Sequence, residues 1–135
     1  MSNVRIIIAG GRDFDDYQML EKEVFRVIRE TFGAIPRSSI EFISGGANGA
    51  DKLGERMAAK YGFIRHRIPA KWDVYGKRAG FIRNVEMAMY AKGNPDEDVI
   101  PLVIAFWDGN SKGTKHMIET AEKHGIKVVV VRYEN

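Results

Sequence analysis

Five short apolar runs punctuate the chain, and between them apolar positions recur at helical spacing. The first, Val4-Arg5-Ile6-Ile7-Ile8-Ala9, is β-branched and almost uninterrupted, as a strand covered on both faces reads in a parallel sheet. Gly10-Gly11-Arg12-Asp13 ends it. Tyr17, Leu20, Val24, Val27 and Ile28 then hold one helix face, with Asp15 as the expected N-cap and Gln18 at its third position. Gly33-Ala34-Ile35-Pro36 stops that helix, and Glu41-Phe42-Ile43 is a second strand. Leu53, Met57 and Tyr61 mark a second helix closed by Gly62, and residues 63–68 alternate like a strand near an edge. Residues 69–80 form the longest stretch without a pattern, and long loops inside compact domains often carry function. Ile82, Val85 and Met89 predict the inner face of a third helix, followed by the turn Gly93-Asn94-Pro95-Asp96. Residues 99–106 predict the fourth strand, Met117, Ile118 and Ala121 a fourth helix before Gly125, and residues 126–131 the fifth strand.

Strand and helix alternate throughout, with no repeat, linker or low-complexity segment. The pattern predicts one α/β domain over 1–135, a three-layer sandwich whose five parallel strands take the order 3-2-1-4-5. In such sheets a ligand lies beyond the carboxyl ends of the strands, where the strand order reverses. Three glycine-bearing loops leave strand carboxyl ends here, at 10–13, 44–51 and 108–114.

The middle loop, Ser44-Gly45-Gly46-Ala47-Asn48-Gly49-Ala50-Asp51, carries the strongest signal. Its three glycines permit positive φ and leave no side chain to hold a ligand away. The first N–H groups of the following helix then face an anion. Close backbone packing is the lesser alternative for such a turn, and Asn48 and Asp51 also read as an N-cap and its third-position partner. The stretch lacks the Lys-Ser/Thr of a P-loop and the position of a dinucleotide fingerprint.

Composition narrows the chemistry. With no cysteine there is no disulfide, thiolate chemistry or cysteine-held zinc, and His66, His116 and His124 lack metal-ligand spacing. They are expected at the surface, and no metal site is expected. No apolar segment reaches membrane-spanning length, so a cytoplasmic protein is the expectation. The net charge is only +3, but between positions 60 and 83 Lys60, Arg65, Arg67, Lys71, Lys77, Arg78 and Arg83 face a single acid, Asp73. That suits a small anion or a nucleic-acid backbone, and equally a solvated basic face.

Gly10-Gly11-Arg12-Asp13-Phe14, the 44–51 loop, Ala79-Gly80 with Arg83-Asn84, and Asp108-Gly109 with Ser111 and Gly113-Thr114 resemble the YspA-type branch of the SLOG superfamily. That superfamily also holds the LOG phosphoribohydrolases and the DprA-like and molybdenum-cofactor-carrier-like proteins. The resemblance covers nearly the whole chain and implies a Rossmann-like fold that binds nucleotides or molecules derived from them. Compared with LOG enzymes, Arg83-Asn84-Val85-Glu86-Met87 keeps an arginine and loses the following lysine. Gly113-Thr114 is kept, whereas Met117 stands where the catalytic glutamate would be. Glu119, two residues on, lies about 200° further round the helix and is a poor substitute.

The loops and the resemblance together point to a ligand site built from Gly10, Gly11, Arg12, Ser44, Gly45, Gly46, Asn48, Gly49, Asp51, Arg83, Asn84, Asp108, Gly109, Ser111, Gly113 and Thr114, with Trp72 added from its place at the expected rim. Arg12 and Arg83 suit phosphate, because a guanidinium grips two oxygens at once. Ser44 and Thr114 offer hydroxyls to phosphate or ribose, or serve as turn and cap residues. Asp51 and Asp108 are acceptors suited to ribose hydroxyls or base amines, and the candidates for catalysis, with Asp13 a third. Trp72 and Trp107 either stack on a base or pack inward, the latter being the commoner outcome for Trp107. The first expectation is a binder of a nucleoside phosphate or an ADP-ribose- or NAD-like molecule, with Mg²⁺ arriving on the phosphate if at all. The alternatives are N-glycosidic hydrolysis of a nucleotide and, behind both, single-stranded nucleic-acid binding, with Trp72 and Tyr75 as stacking surfaces. Self-association is left open.

Overall fold

Along the first strand successive side chains leave for opposite faces of the sheet: Val4, Ile6 and Ile8 enter one core, Ile7 and Ala9 the other. Both faces therefore need a helical cover, and this is why the run is apolar apart from Arg5. The computed structural model describes residues 3–134. Its strands are β1 (Asn3–Gly10), β2 (Ile40–Ser44), β3 (Ile64–Arg67), β4 (Val99–Trp107) and β5 (Lys127–Arg132). They form one parallel sheet in the order 3-2-1-4-5, the α/β, Rossmann-like architecture that the pattern and the resemblance predict. The helices are α1 (Tyr17–Phe32), α2 (Ala50–Tyr61), α3 (Trp72–Tyr75), α4 (Ala79–Lys92) and α5 (Lys112–Lys123).

Helices α1 and α2 close the first core with Leu20, Val24, Ala50 and Met57. Helices α4 and α5 close the second with Met87, Ala88, Met117 and Ala121. The chain runs from central β1 outward to β3 and returns to β4 on the other side of β1. The strand order thus reverses between β1 and β4, and a crevice opens beyond their carboxyl ends.

Three expectations are corrected. The N-cap of α1 is Asp16, whose Oδ1 accepts from the Met19 N–H at 3.0 Å, and not Asp15. The stretch expected to be irregular contains α3 and a 3-10 turn (Gly76–Arg78) that runs straight into α4. On α4 the inward face is Asn84, Met87, Ala88 and Ala91, while Val85 and Met89 are exposed together with Phe81. This helix is apolar almost all round, so its period does not reveal which side meets the sheet.

Candidate functional site

A cleft of about 430 Å³ lies beyond the ends of β1 and β4. A shallower depression of about 280 Å³ adjoins it and shares Arg12, Ala47, Trp72 and Arg83. The loop after β1 makes the floor. Gly11 N–H donates to the Phe106 carbonyl at 3.2 Å, and the Gly11 carbonyl accepts from Ala50, the first residue of α2, at 3.3 Å. Part of the amino end of α2 is therefore spent on the protein itself rather than left to a ligand.

Gly49 makes that junction possible. It is the cap residue of α2 at φ +83°, and a Cβ there would collide with the Gly11 carbonyl. The expected capping by Asn48 with Asp51 at the third position is thus corrected. No side chain caps α2, Asp51 is its second residue, and Asp51 Oδ2 accepts from the Ala47 N–H at 3.2 Å. Asn48 lines the shallower depression with Gly45 and Gly46.

Asp51 is only 6% exposed yet forms part of the cleft wall. Burial pushes its carboxyl up to about 6, against the opposing pull of the Ala47 N–H, Arg83 and Arg12, with Glu55 adding to the rise. Arg83 comes from the first turns of α4. Its Nη1 donates to the Gly45 carbonyl at 2.7 Å and its Nε to Asn84 Oδ1 at 3.2 Å. Burial lowers the affinity of this guanidinium for its proton, and the nearby Asp51 charge restores part of it. A Cβ on Gly45 would stand 2.5 Å from Arg83 Nη1 and 2.8 Å from Asp51 Oδ2, so a larger residue there would push these side-chain ends aside. Arg12 is exposed at the rim, with its Cζ 5.8 Å from the centre of the half-exposed Trp72 ring.

The opposite wall is the amino end of α5. Ser111 caps it, its Oγ accepting from the Thr114 N–H at 3.4 Å and lying 3.0 Å from Thr114 Oγ1. Asp108 Oδ1 accepts from the N–H groups of Asn110 (2.8 Å) and Ser111 (2.9 Å), which sets the loop. Buried Asn84 bolts α4 to α5: its amide nitrogen donates to the Gly113 carbonyl at 3.2 Å and reaches His116 Nδ1 at 3.1 Å. His116, expected at the surface, is half-buried behind Asn84 and stacked on Phe81 at 4.2 Å. Burial lowers its pKa, with the Glu119 charge acting the other way.

Gly10, Gly11, Arg12, Asp51, Trp72 and Arg83 therefore share the cleft with Asn84, Asp108, Ser111, Gly113 and Thr114. Gly45, Gly46 and Asn48 line the adjoining depression, and the remaining three candidates line neither. Gly49 is the hinge beneath the loops, and Gly109 turns toward Arg132. Ser44 is buried, its Oγ donating to Glu55 Oε2 at 2.6 Å and accepting from the Gly46 N–H at 3.0 Å. That hydroxyl is bonded within the protein, as in the turn-residue alternative rather than the ligand one. Glu55 also pairs with Arg67, and although burial works to raise its carboxyl, the Arg67 and Ser44 bonds outweigh it and hold it below its ordinary range.

Trp107 packs against the second core, its Nε1 donating to the Ser111 carbonyl at 3.1 Å. Met117 lines the cleft at 1% exposure, and Glu119 lies on the exposed side of α5. Asp13 lines the cleft too, its Oδ1 accepting from the Tyr133 hydroxyl at 2.9 Å. Lys77, Phe81 and Met87 are further lining residues. Lys77 belongs to the basic stretch and Met87 to the segment compared with the LOG enzymes, whereas Phe81 carried no local signal. The basic stretch itself is no single face. Lys60 pairs with Glu21 and Arg67 with Glu55, while Arg83 turns inward to Gly45. Among the described residues no cluster of His, Asp and Glu is placed to hold a metal ion, and no helix is long and apolar enough to cross a membrane.

The family model for YspA, cpYpsA-related SLOG proteins matches residues 4–75. The chain belongs to that family. The match takes in the first two glycine loops and Trp72, and ends before Arg83 and the amino end of α5. The Gene 61 protein of Mycobacterium phage D29 is 32% identical over 132 residues, covering 93% of this chain and 94% of that one. The crystal structure of DNA processing protein A (DprA) from Streptococcus pneumoniae superposes on 96% of this SLOG chain with a TM-score of 0.51 at 16% identity. This chain spans 58% of the DprA chain, and the likeness is one of fold.

Proposed function

We propose that the cleft binds a small nucleotide-derived anion, a nucleoside phosphate or an ADP-ribose- or NAD-like molecule. The observation that carries this reading is the convergence of Arg12, Arg83 and the capped amino end of α5 on one cavity of about 430 Å³. Guanidinium groups and a helix amino end both favour phosphate oxygens. The half-exposed Trp72 ring at the rim offers a stacking surface for a base. Small molecules are favoured over a nucleic-acid strand because the cations meet in a cavity rather than along a groove. Thermal unfolding with AMP, ADP, ADP-ribose and NAD tests the reading. At least one should raise the midpoint of the wild-type protein and raise it less in Arg12→Ala; no rise with any of them refutes it.

A second reading, N-glycosidic hydrolysis, is favoured by the Asp51 carboxyl, raised to about 6 in the cleft wall. A group poised there suits general acid–base work near neutral pH, worth roughly 10²–10⁴-fold. Asp108 is the weaker candidate, since its Oδ1 already organises the α5 loop. Incubation with nucleoside monophosphates and ADP-ribose should release free base if this holds. Release that persists in both Asp51→Asn and Asp108→Asn would remove these residues from the chemistry.

A further inference from the structure

Asp51 occupies an unusual place for an acid. It sits in the first turn of α2, is 6% exposed, and borders the cavity in which Arg12 and Arg83 converge. An ionised carboxylate and a phosphate oxygen are both acceptors only, so the two cannot bond to each other as they stand. Placing an anion beside an ionised buried carboxylate makes a like-charge pair, and such pairs are relieved by holding a proton between them.

We propose that Asp51 meets an anion in the cleft as a neutral carboxylic acid, donating its O–H to an oxyanion oxygen, so that binding takes up one proton from solvent. The inference rests on the anion-binding reading of the cleft.

The surroundings support this. Oδ2 is held by the Ala47 N–H at 3.2 Å. The charges acting on the carboxyl are Arg83 from α4, Arg12 from the loop after β1 and Glu55 from the next turn of α2. Glu55 is itself tied to Arg67 and Ser44, so its own negative charge persists nearby. Asp13, Asp108 and Lys77 line the same cavity, and His116 stands behind Asn84. With its carboxyl raised to about 6, Asp51 takes up a proton near neutral pH with less work than an ordinary carboxylate needs. The reading opposed to this one is an ionised Asp51 accepting from a ligand hydroxyl.

Sulfate is the probe, because it stays doubly charged from about pH 5 to pH 8 and has no proton of its own to confuse the count. The Asp51 side-chain carboxyl is followed by ¹³C NMR with and without saturating sulfate. Its midpoint should rise by about one pH unit or more on binding, and sulfate affinity should weaken about tenfold or more from pH 5 to pH 8. Asp51→Asn keeps an acceptor for Ala47 and presents a permanent N–H donor. It should bind sulfate at pH 8 as tightly as wild type does at pH 5, with no pH dependence, which separates Asp51 from Asp13, Asp108 and His116. Sulfate binding with an unmoved or lowered midpoint, or a pH dependence that survives in Asp51→Asn, overturns this inference alone. No sulfate binding at any pH also overturns this inference, while the anion-binding reading is decided separately by the nucleotide thermal screen. The wild-type titration stands by itself if the variant folds poorly.

Discussion

Arg83 Nη1 donates to the carbonyl of Gly45 at 2.7 Å across 38 residues of sequence, tying the start of α4 to the glycine-rich loop after β2. The same guanidinium lies close enough to Asp51 to oppose the rise in its pKa. Arg83 is therefore both a strut and a source of positive charge in the cleft. Arg83→Ala should lose roughly 1.5–3 kcal/mol, the usual cost of a lost charged hydrogen bond, and lower the melting temperature by about 5–10 °C. It should also move the Asp51 midpoint above about 6, since a favourable charge is gone. Calorimetry and a carboxyl NMR titration read the two effects. An unchanged melting temperature would show that the bond does not support the loop.

Asp51 makes the fold pH-dependent with a definite sign. Its carboxyl is raised from an ordinary value near 3.8 to about 6, so the folded chain holds more protons than the unfolded chain between those values. Stability from this group is present below the lower value and is lost as pH rises through the upper one. The loss is on the order of 3 kcal/mol at most. Asp51→Asn should melt roughly 5–10 °C higher than wild type near pH 7.5 and should lack the decline between about pH 4 and pH 6.5. A variant that melts lower at neutral pH would show that ionised Asp51 stabilises the loop. A carboxyl that costs stability in an open cleft is what a binding site is expected to retain.

Arg12 separates affinity from stability. The residue is exposed and its neighbour across the rim is the Trp72 ring. Arg12→Ala should shift stability by less than about 0.5 kcal/mol. Affinity for the nucleotide that the thermal screen selects should fall about tenfold or more, as for loss of one charge-assisted contact. Titration calorimetry measures this, and wild-type affinity in the variant would take Arg12 out of the site.

Ser44 gives the opposite pattern. Its hydroxyl holds Glu55 and the Gly46 N–H and does not face the cleft. Ser44→Ala should cost about 1–3 kcal/mol through unsatisfied buried partners while ligand affinity changes little. A large loss of affinity at unchanged stability would restore the hydroxyl to the ligand site.

Gly49→Ala tests the joint between the loops. Positive φ and the collision with the Gly11 carbonyl act together, so the variant should lose more than about 2 kcal/mol. Hydrogen exchange of the Ala50 N–H, which bonds to that carbonyl, should speed up in parallel. Wild-type protection there would mean that the two loops do not depend on this glycine.

The sequence by itself determined the layered sheet, its strand order and the end of the sheet at which the cleft opens. These follow from features written locally: short apolar runs in β1 and β4, helical spacing in α1, α2 and α5, and glycines at the ends of strands. Once parallel strands alternate with helices, chirality and short connections leave few arrangements. Tertiary structure alone decided the inner face of α4, because Phe81, Ile82, Val85, Met87 and Met89 give that helix apolar residues on several sides. It also decided what each polar group does. Ser44 finds Glu55 on α2, Asn84 finds Gly113 on α5, and Asp51 is buried in a wall completed by Arg83. A hydroxyl, an amide or a carboxyl has the same local pattern whether it meets solvent, ligand or a distant carbonyl. Its partner is chosen by segments that come together only when the sheet closes, and its charge by the water that closure removes.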